Sequence, residues 1–125
     1  MSISSAIQDS YPYQNEPIWS KTEKAISRTA FDAALGRELH EVIEKAKQMA
    51  NAIQRSADLW DLEHYLTQRR KEIDRKYDYR YSQLAQLFGR LLQEGRLSEQ
   101  ELHGLREDKI ILIRSFAKFL AKDIA

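Results

Sequence analysis

"LWDLEHYLTQRRKEIDRKYDYRYSQLAQLFGRLLQEG", residues 59–95, is the stretch on which the fold turns. From Arg69 to Arg80, nine of twelve residues are charged, so no apolar run defines an element there. The spacing of the apolar residues does. At ~100° per residue, Leu59, Leu62, Leu66, Ile73, Leu84, Leu87 and Leu91 fall in one sector roughly 80° wide. That spacing predicts a single helix over 58–94, with its leucines as a continuous core stripe. Gly95 stands where a left-handed C′ residue would end it.

Upstream, Ser20 and Glu23 make a capping-box pattern in "SKTE". Ile26, Phe31, Leu35, Leu39, Val42, Ile43, Met49 and Ile53 then recur at helical spacing, which predicts a first helix over 20–54. Gly36 weakens that helix without ending it. The pattern resets at "QRSAD", where Ser56 and Asp58 are capable N-caps. Downstream, Ser98 with Glu101 opens a short helix over 98–104, and the apolar residues from Ile110 to Leu120 predict another over 108–122. Residues 1–19 hold both prolines and no periodicity, and read as a flexible arm. The expectation is an all-α chain: two long helices and a short C-terminal helical head, in one domain over 20–125.

Length bears on assembly. A helix over 58–94 is ~54 Å long, whereas a globule of this size has a radius of gyration of only ~14 Å. The residues after Gly95 cannot cover two such helices, so an elongated homodimer, antiparallel or crossed, is expected.

The charge balance, 20 basic against 19 acidic residues, lacks the basic excess of a dedicated nucleic-acid protein. Arg69, Arg70, Arg75 and Arg80 point around the helix and form no stripe. No nucleic-acid partner is expected. Cysteine is absent, which suits a reducing compartment. No apolar run approaches the ~20 residues of a membrane span, and the N-terminus lacks a secretory signal, so the expected location is cytoplasmic, without membrane insertion. His40, His64 and His103 never pair at i,i+4, and the four glycines are too dispersed for a phosphate loop. Neither enzyme chemistry, metal nor cofactor is expected.

On the helical wheel Trp60, Thr67, Lys71, Asp74 and Asp78 cluster ~120° from the leucine stripe, flanked by His64 and Arg70. A surface Trp beside Arg and His has the composition of a protein-binding hot spot. The competing reading packs Trp60 under the first helix or across a dimer. Arg69, Lys76 and Arg80 fall on or beside the leucine stripe, where pairing with acids of a partner helix would set register.

The run "WDLEHYLTQRRKEIDRKYDYR" with the ending "LLQEG" resembles the fluorescence recovery protein family. It matches at Asp58, Trp60, Leu62, Leu66, Arg69, Arg70, Glu72, Ile73, Asp74, Lys76, Tyr77, Asp78 and Arg80. Weaker similarity reaches "WSKTE" and the last helix. The resemblance implies an all-helical homodimer that binds the photoactivated orange carotenoid protein. There it speeds the return from red to orange and release from the phycobilisome antenna, without bond chemistry, in the cytoplasm or at the cytoplasmic face of thylakoids. Carried over by position, the partner-binding residues are Trp60, Glu63, His64 and Arg70. The chain departs from the family run at Glu63-His64, where a His-Asp pair is the pattern, at Arg75 in place of Gly, and at Gln86 within an apolar segment. A helical dimer with a different protein partner is the alternative.

Overall fold

The computed structural model describes residues 18–124, with side chains through Lys122. Helix α1 spans Lys21–Asn51, α2 Ser56–Lys76, α3 Tyr81–Gln93 and α4 Glu107–Ile124; a 3-10 turn, Glu99–Leu102, precedes α4. No strand occurs among the described residues. The chain is all-α.

α1 starts where the capping box put it. The Glu23 backbone N–H donates to Ser20 Oγ at 3.1 Å, and the Ser20 N–H donates to Glu23 Oε1 at 3.0 Å. At ~46 Å it is the longest element. After the turn at 52–55, α2 is capped by Asp58, whose carboxylate accepts the N–H groups of Gln54 and Arg55 at 3.0 and 3.1 Å.

The continuous second helix is corrected. α2 ends at Lys76, and Tyr77–Arg80 is non-helical, with Arg80 in extended geometry at φ −118, ψ 135. The rings of Tyr77 and Tyr79 both stand edge-on to Phe31, at 5.5 and 4.9 Å, and Tyr79 meets Tyr81 at 5.5 Å. In a helix residues two apart face opposite ways, whereas in extended chain they share a side. Docking Tyr77 and Tyr79 on one ring therefore requires the helix to stop. On the other side Asp78 and Arg80 pair, Nε to Oδ1, at 2.9 Å.

α3 resumes with Leu84, Ala85, Leu87, Phe88, Gly89 and Leu91 buried. It ends in a Schellman motif at Gly95 (φ 76), with Arg96 N–H on Leu91 O and Gly95 N–H on Leu92 O. Only the 3-10 turn forms in the segment expected to be helix 98–104. α4 lies against α3 at Gly89, where the absence of a Cβ admits the backbone of Ile113 and Ala117.

The core lies where α3 and α4 meet the first half of α1. It holds Phe31, Ala34, Leu84, Phe88, Leu91, Leu102 and Ile113. Trp19, expected in the arm, is buried there too; its ring lies 5.9 Å from Tyr81 and beneath the Lys109 ammonium. The rest of the arm, residues 1–17, lies outside the described residues.

Within the single chain the expected dimer and core stripe of Leu59, Leu62, Leu66, Ile73 and Leu84 is only partly covered. Ile73 and Leu84 are buried, but Leu62 is half-buried and Leu59 and Leu66 are 45% and 40% exposed. On α1, Leu39 and Ile43 are also exposed. The distal half of the α1–α2 hairpin has no third element over it.

Candidate functional site

α2 presents a solvent face and an anchored face. Counting ~100° per residue from Trp60, the residues Glu63, His64, Thr67, Arg70, Lys71 and Asp74 occupy one sector roughly 120° wide. All are exposed, Trp60 at 59%. Arg70 stands free except for a loose 3.9 Å approach to Asp74. Within the single chain Trp60 does not pack under α1. Trp60, Glu63 and His64 are one-turn neighbours, and Arg70 follows ~15 Å further along the same side.

The opposite face is tied down by charge. Arg69 and Lys76, expected to pair with acids of a partner helix, meet Glu38 of α1 within this chain. Arg69 Nη2 donates to Glu38 Oε2 at 2.9 Å, and Lys76 Nζ pairs with Glu38 Oε1 at 2.7 Å. The Tyr77 hydroxyl donates to Glu38 Oε1 at 2.8 Å. Lys76 also reaches Glu94 at 2.6 Å, and Arg96 bridges Glu94 and Glu41. Arg80, the third residue of that expectation, pairs with Asp78.

Glu38 is 2% exposed. Burial alone would raise its pKa, but Lys76, Tyr77 and Arg69 stabilise the carboxylate and hold it at about 2, against an ordinary 4.5. The same carboxylate pushes the Tyr77 hydroxyl, already raised by burial, further up. Nothing in the local sequence marks Glu38, which sits between Arg37 and Leu39 on α1. Its role emerges only from the pairing of distant elements.

Beside the end of α2 lies a cleft of about 340 Å³, walled by Leu87, Phe116, Phe119 and Leu120, with Arg75 and Gln86 also lining it. Two positions at which the chain departs from the family run thus converge on one place in the head. Among the described residues no group of His, Asp and Glu could hold a metal ion, and no helix is long and apolar enough to cross a membrane.

The sequence profile of the family described as "Photoprotection regulator fluorescence recovery protein" matches residues 19–117. This chain belongs to that family. It is 36% identical over 103 residues to the fluorescence recovery protein of Synechocystis sp. PCC 6803, covering 82% of this chain and 94% of that protein. The solved fluorescence recovery protein of Fremyella diplosiphon superposes with a TM-score of 0.77 at 38% identity, over 81% of this chain and 99% of that one. The Synechocystis structure gives 0.77 at 36% identity with the same coverage. The match starts at Trp19, which is also the first buried residue among those described. The family is described by a regulatory role in photoprotection, and the relatives are named fluorescence recovery proteins.

Proposed function

We propose that this protein is a homodimeric regulator that binds photoactivated orange carotenoid protein, speeds its red-to-orange reversion and promotes its release from the phycobilisome. The observation that carries this is Trp60, held 59% exposed on an α2 face that the chain itself leaves uncovered, in a member of this family. An exposed Trp with a nearby free Arg is costly to leave in water and suits a hot spot for a protein surface. Reversion involves no bond chemistry. A binding protein accelerates it by holding the closing arrangement of the partner more tightly than the open one, and nothing else is required.

The assay is the recovery rate of the photoconverted carotenoid protein with and without this protein. Trp60→Ala and Arg70→Leu are expected to slow recovery at least tenfold at limiting concentration. Helicity and dimer mass should stay unchanged, because neither side chain supports the monomer core. Loss of the dimer in Trp60→Ala would instead place Trp60 between the two copies. No acceleration by the wild type at stoichiometric dimer selects the second reading, a helical dimer with another protein partner. The exposed Glu63-His64 pair, one turn from Trp60 and flanking it on that face, favours rewired specificity in that case.

For the dimer, the supporting features are Leu39, Ile43, Leu59 and Leu66, four large apolar side chains exposed on the hairpin. The Glu38–Arg69 pair sets the hairpin register and puts Leu66 level with Leu39 and Ile43. Burying Leu66 against a second copy would contribute on the order of 1–2 kcal/mol per protomer. Leu66→Glu is expected to bring the light-scattering mass down from twice 14.7 kDa to 14.7 kDa, with the head still folded. An unchanged dimer mass would remove this face from the interface.

A further inference from the structure

α2 is joined to the rest of the chain by charge more than by apolar packing. Ile73 is its one buried residue, and the contact of α2 with α3 across the Tyr77–Arg80 break is slight. The break contains no Pro, so no locked φ sets the direction in which α2 leaves the head, and Tyr77 and Tyr79 seat the break on Phe31 without constraining the rotation of the helix body. Glu38 supplies that constraint. Its carboxylate receives Arg69 from the body of α2, Lys76 from its last residue and the Tyr77 hydroxyl from the break, and it lies 3.5 Å from Arg96 beyond α3.

The geometry of attachment matters for the opposite side of the helix. Arg69 follows Trp60 by nine residues, which places the two ~180° apart on the helix. Arg69 and Lys76 are seven residues apart, so they share one side two turns apart. One buried carboxylate therefore fixes the rotation of α2 about its own axis. The same rotation decides where Trp60, Glu63, His64 and Arg70 point.

We infer that Glu38 is a positioning residue for the α2 partner face: it fixes the rotation of α2 against the head, so that the Trp60–Arg70 side is presented ready to bind. The functional half of this inference rests on the reading above. Without the anchor, α2 samples rotations in which the face is turned away. Apparent affinity then falls by the fraction of competent molecules, while the fully bound state remains attainable. This is distinct from a stability role, which would lower the melting temperature and leave the half-saturating concentration of folded protein alone.

Two measurements on Glu38→Gln test it. The first needs no partner: spin labels at Thr67 and Lys118, in chains diluted into unlabelled protein, report the distance between α2 and α4. A narrow distribution in the wild type and a broadened one in Glu38→Gln are expected. A distribution that stays narrow overturns the inference. The second is the recovery assay: the half-saturating concentration is expected to rise tenfold or more, with the maximal rate at saturation kept within twofold. Broadening with an unchanged half-saturating concentration overturns the positioning role. An inactive wild type overturns the partner reading instead, and the distance measurement still decides whether Glu38 sets the rotation. Should Glu38→Gln fail to fold with Lys76 left beside a neutral amide, the double variant Glu38→Gln, Lys76→Gln removes acid and cation together and is read in the same way. Glu38→Asp, which keeps the charge, is expected to restore most of the wild-type half-saturation.

Discussion

Gly89→Val is expected to unfold the head, lowering the thermal midpoint by about 10 °C or more in a circular-dichroism melt. A Cβ built at Gly89 lies 2.5 Å from Phe116 Cβ, 2.8 Å from the Ile113 carbonyl oxygen and 3.0 Å from the Ala117 nitrogen. Two of these three are backbone atoms of α4, which cannot swing aside as a side-chain tip can. α4 must move off α3 as a whole, and with it the contacts that bury Phe88, Leu91 and Ile113. Overpacking of this kind costs ~1–3 kcal/mol, and two further methyls at a backbone contact place Val at or above the top of that range. The gain in helix propensity on leaving glycine, under 1 kcal/mol, does not offset it. For a domain of this size each kcal/mol shifts the midpoint by roughly 3–6 °C. Gly36 is the internal control. It is also helical, but nothing lies within 4 Å of its virtual Cβ. Gly36→Ala is expected to stabilise α1 by about 0.5–1 kcal/mol. Equal melting shifts of the same sign at the two positions would refute the close-approach account.

How much of this was legible in the sequence varies with the range of the interaction that decides each feature. Ser20 and Glu23 act within one turn, and the start of α1 was read from them. Gly95 acts on the turn before it, and the end of α3 was read likewise. Helical geometry put Trp60 off the leucine stripe, but spacing alone left open whether it faced solvent or packed under α1 or across a dimer; the single chain leaves it exposed. The break at Tyr77–Arg80 was missed although it had a local signal. "YDYRY" alternates aromatic and charged residues with period two, the mark of extended chain, but the leucines on either side happen to remain in phase across it. The period-3.6 reading therefore ran straight through. Arg69 and Lys76 were placed among the stripe positions and read as pairing with acids of a partner helix, but which acid was not legible. Their acid, Glu38, is 31 and 38 residues away and has no apolar periodicity of its own. Trp19 was lost for a similar reason. It ends a segment without pattern, and its burial depends on Tyr81 and Lys109, far along the chain.

Two buried acids should dominate the response to low pH. Glu23 and Glu38 are both held at about 2, against an ordinary 4.5. For Glu23, burial raises the pKa. Hydrogen bonds from the backbone N–H groups of Arg106 and Ser20 and from Lys109 Nζ overcome it, at 2.9, 3.0 and 3.0 Å. Both folded-state values lie below the unfolded one. Their contribution is thus complete above pH 4.5 and is lost as the pH falls from there towards 2. At 1.36 kcal/mol per pKa unit the loss is on the order of 3 kcal/mol for each acid, a large part of the 5–15 kcal/mol typical of a domain. Thermal midpoints are therefore expected to be insensitive to these two groups from pH 7 to 5 and to fall steeply below 4.5. Glu94, in the Glu38 cluster, is also held low by Lys76 and Arg90 against the effect of burial, and steepens the same limb. Glu23→Gln keeps the shape but cannot ionise. It is expected to be less stable at pH 7 and to lose about one proton from the slope of unfolding free energy against pH between 4.5 and 2. An unchanged slope in that variant would show that Glu23 is not ionised against Lys109 in the folded protein. The pairing that joins the start of α1 to the start of α4 would then have to rest on neutral hydrogen bonds alone.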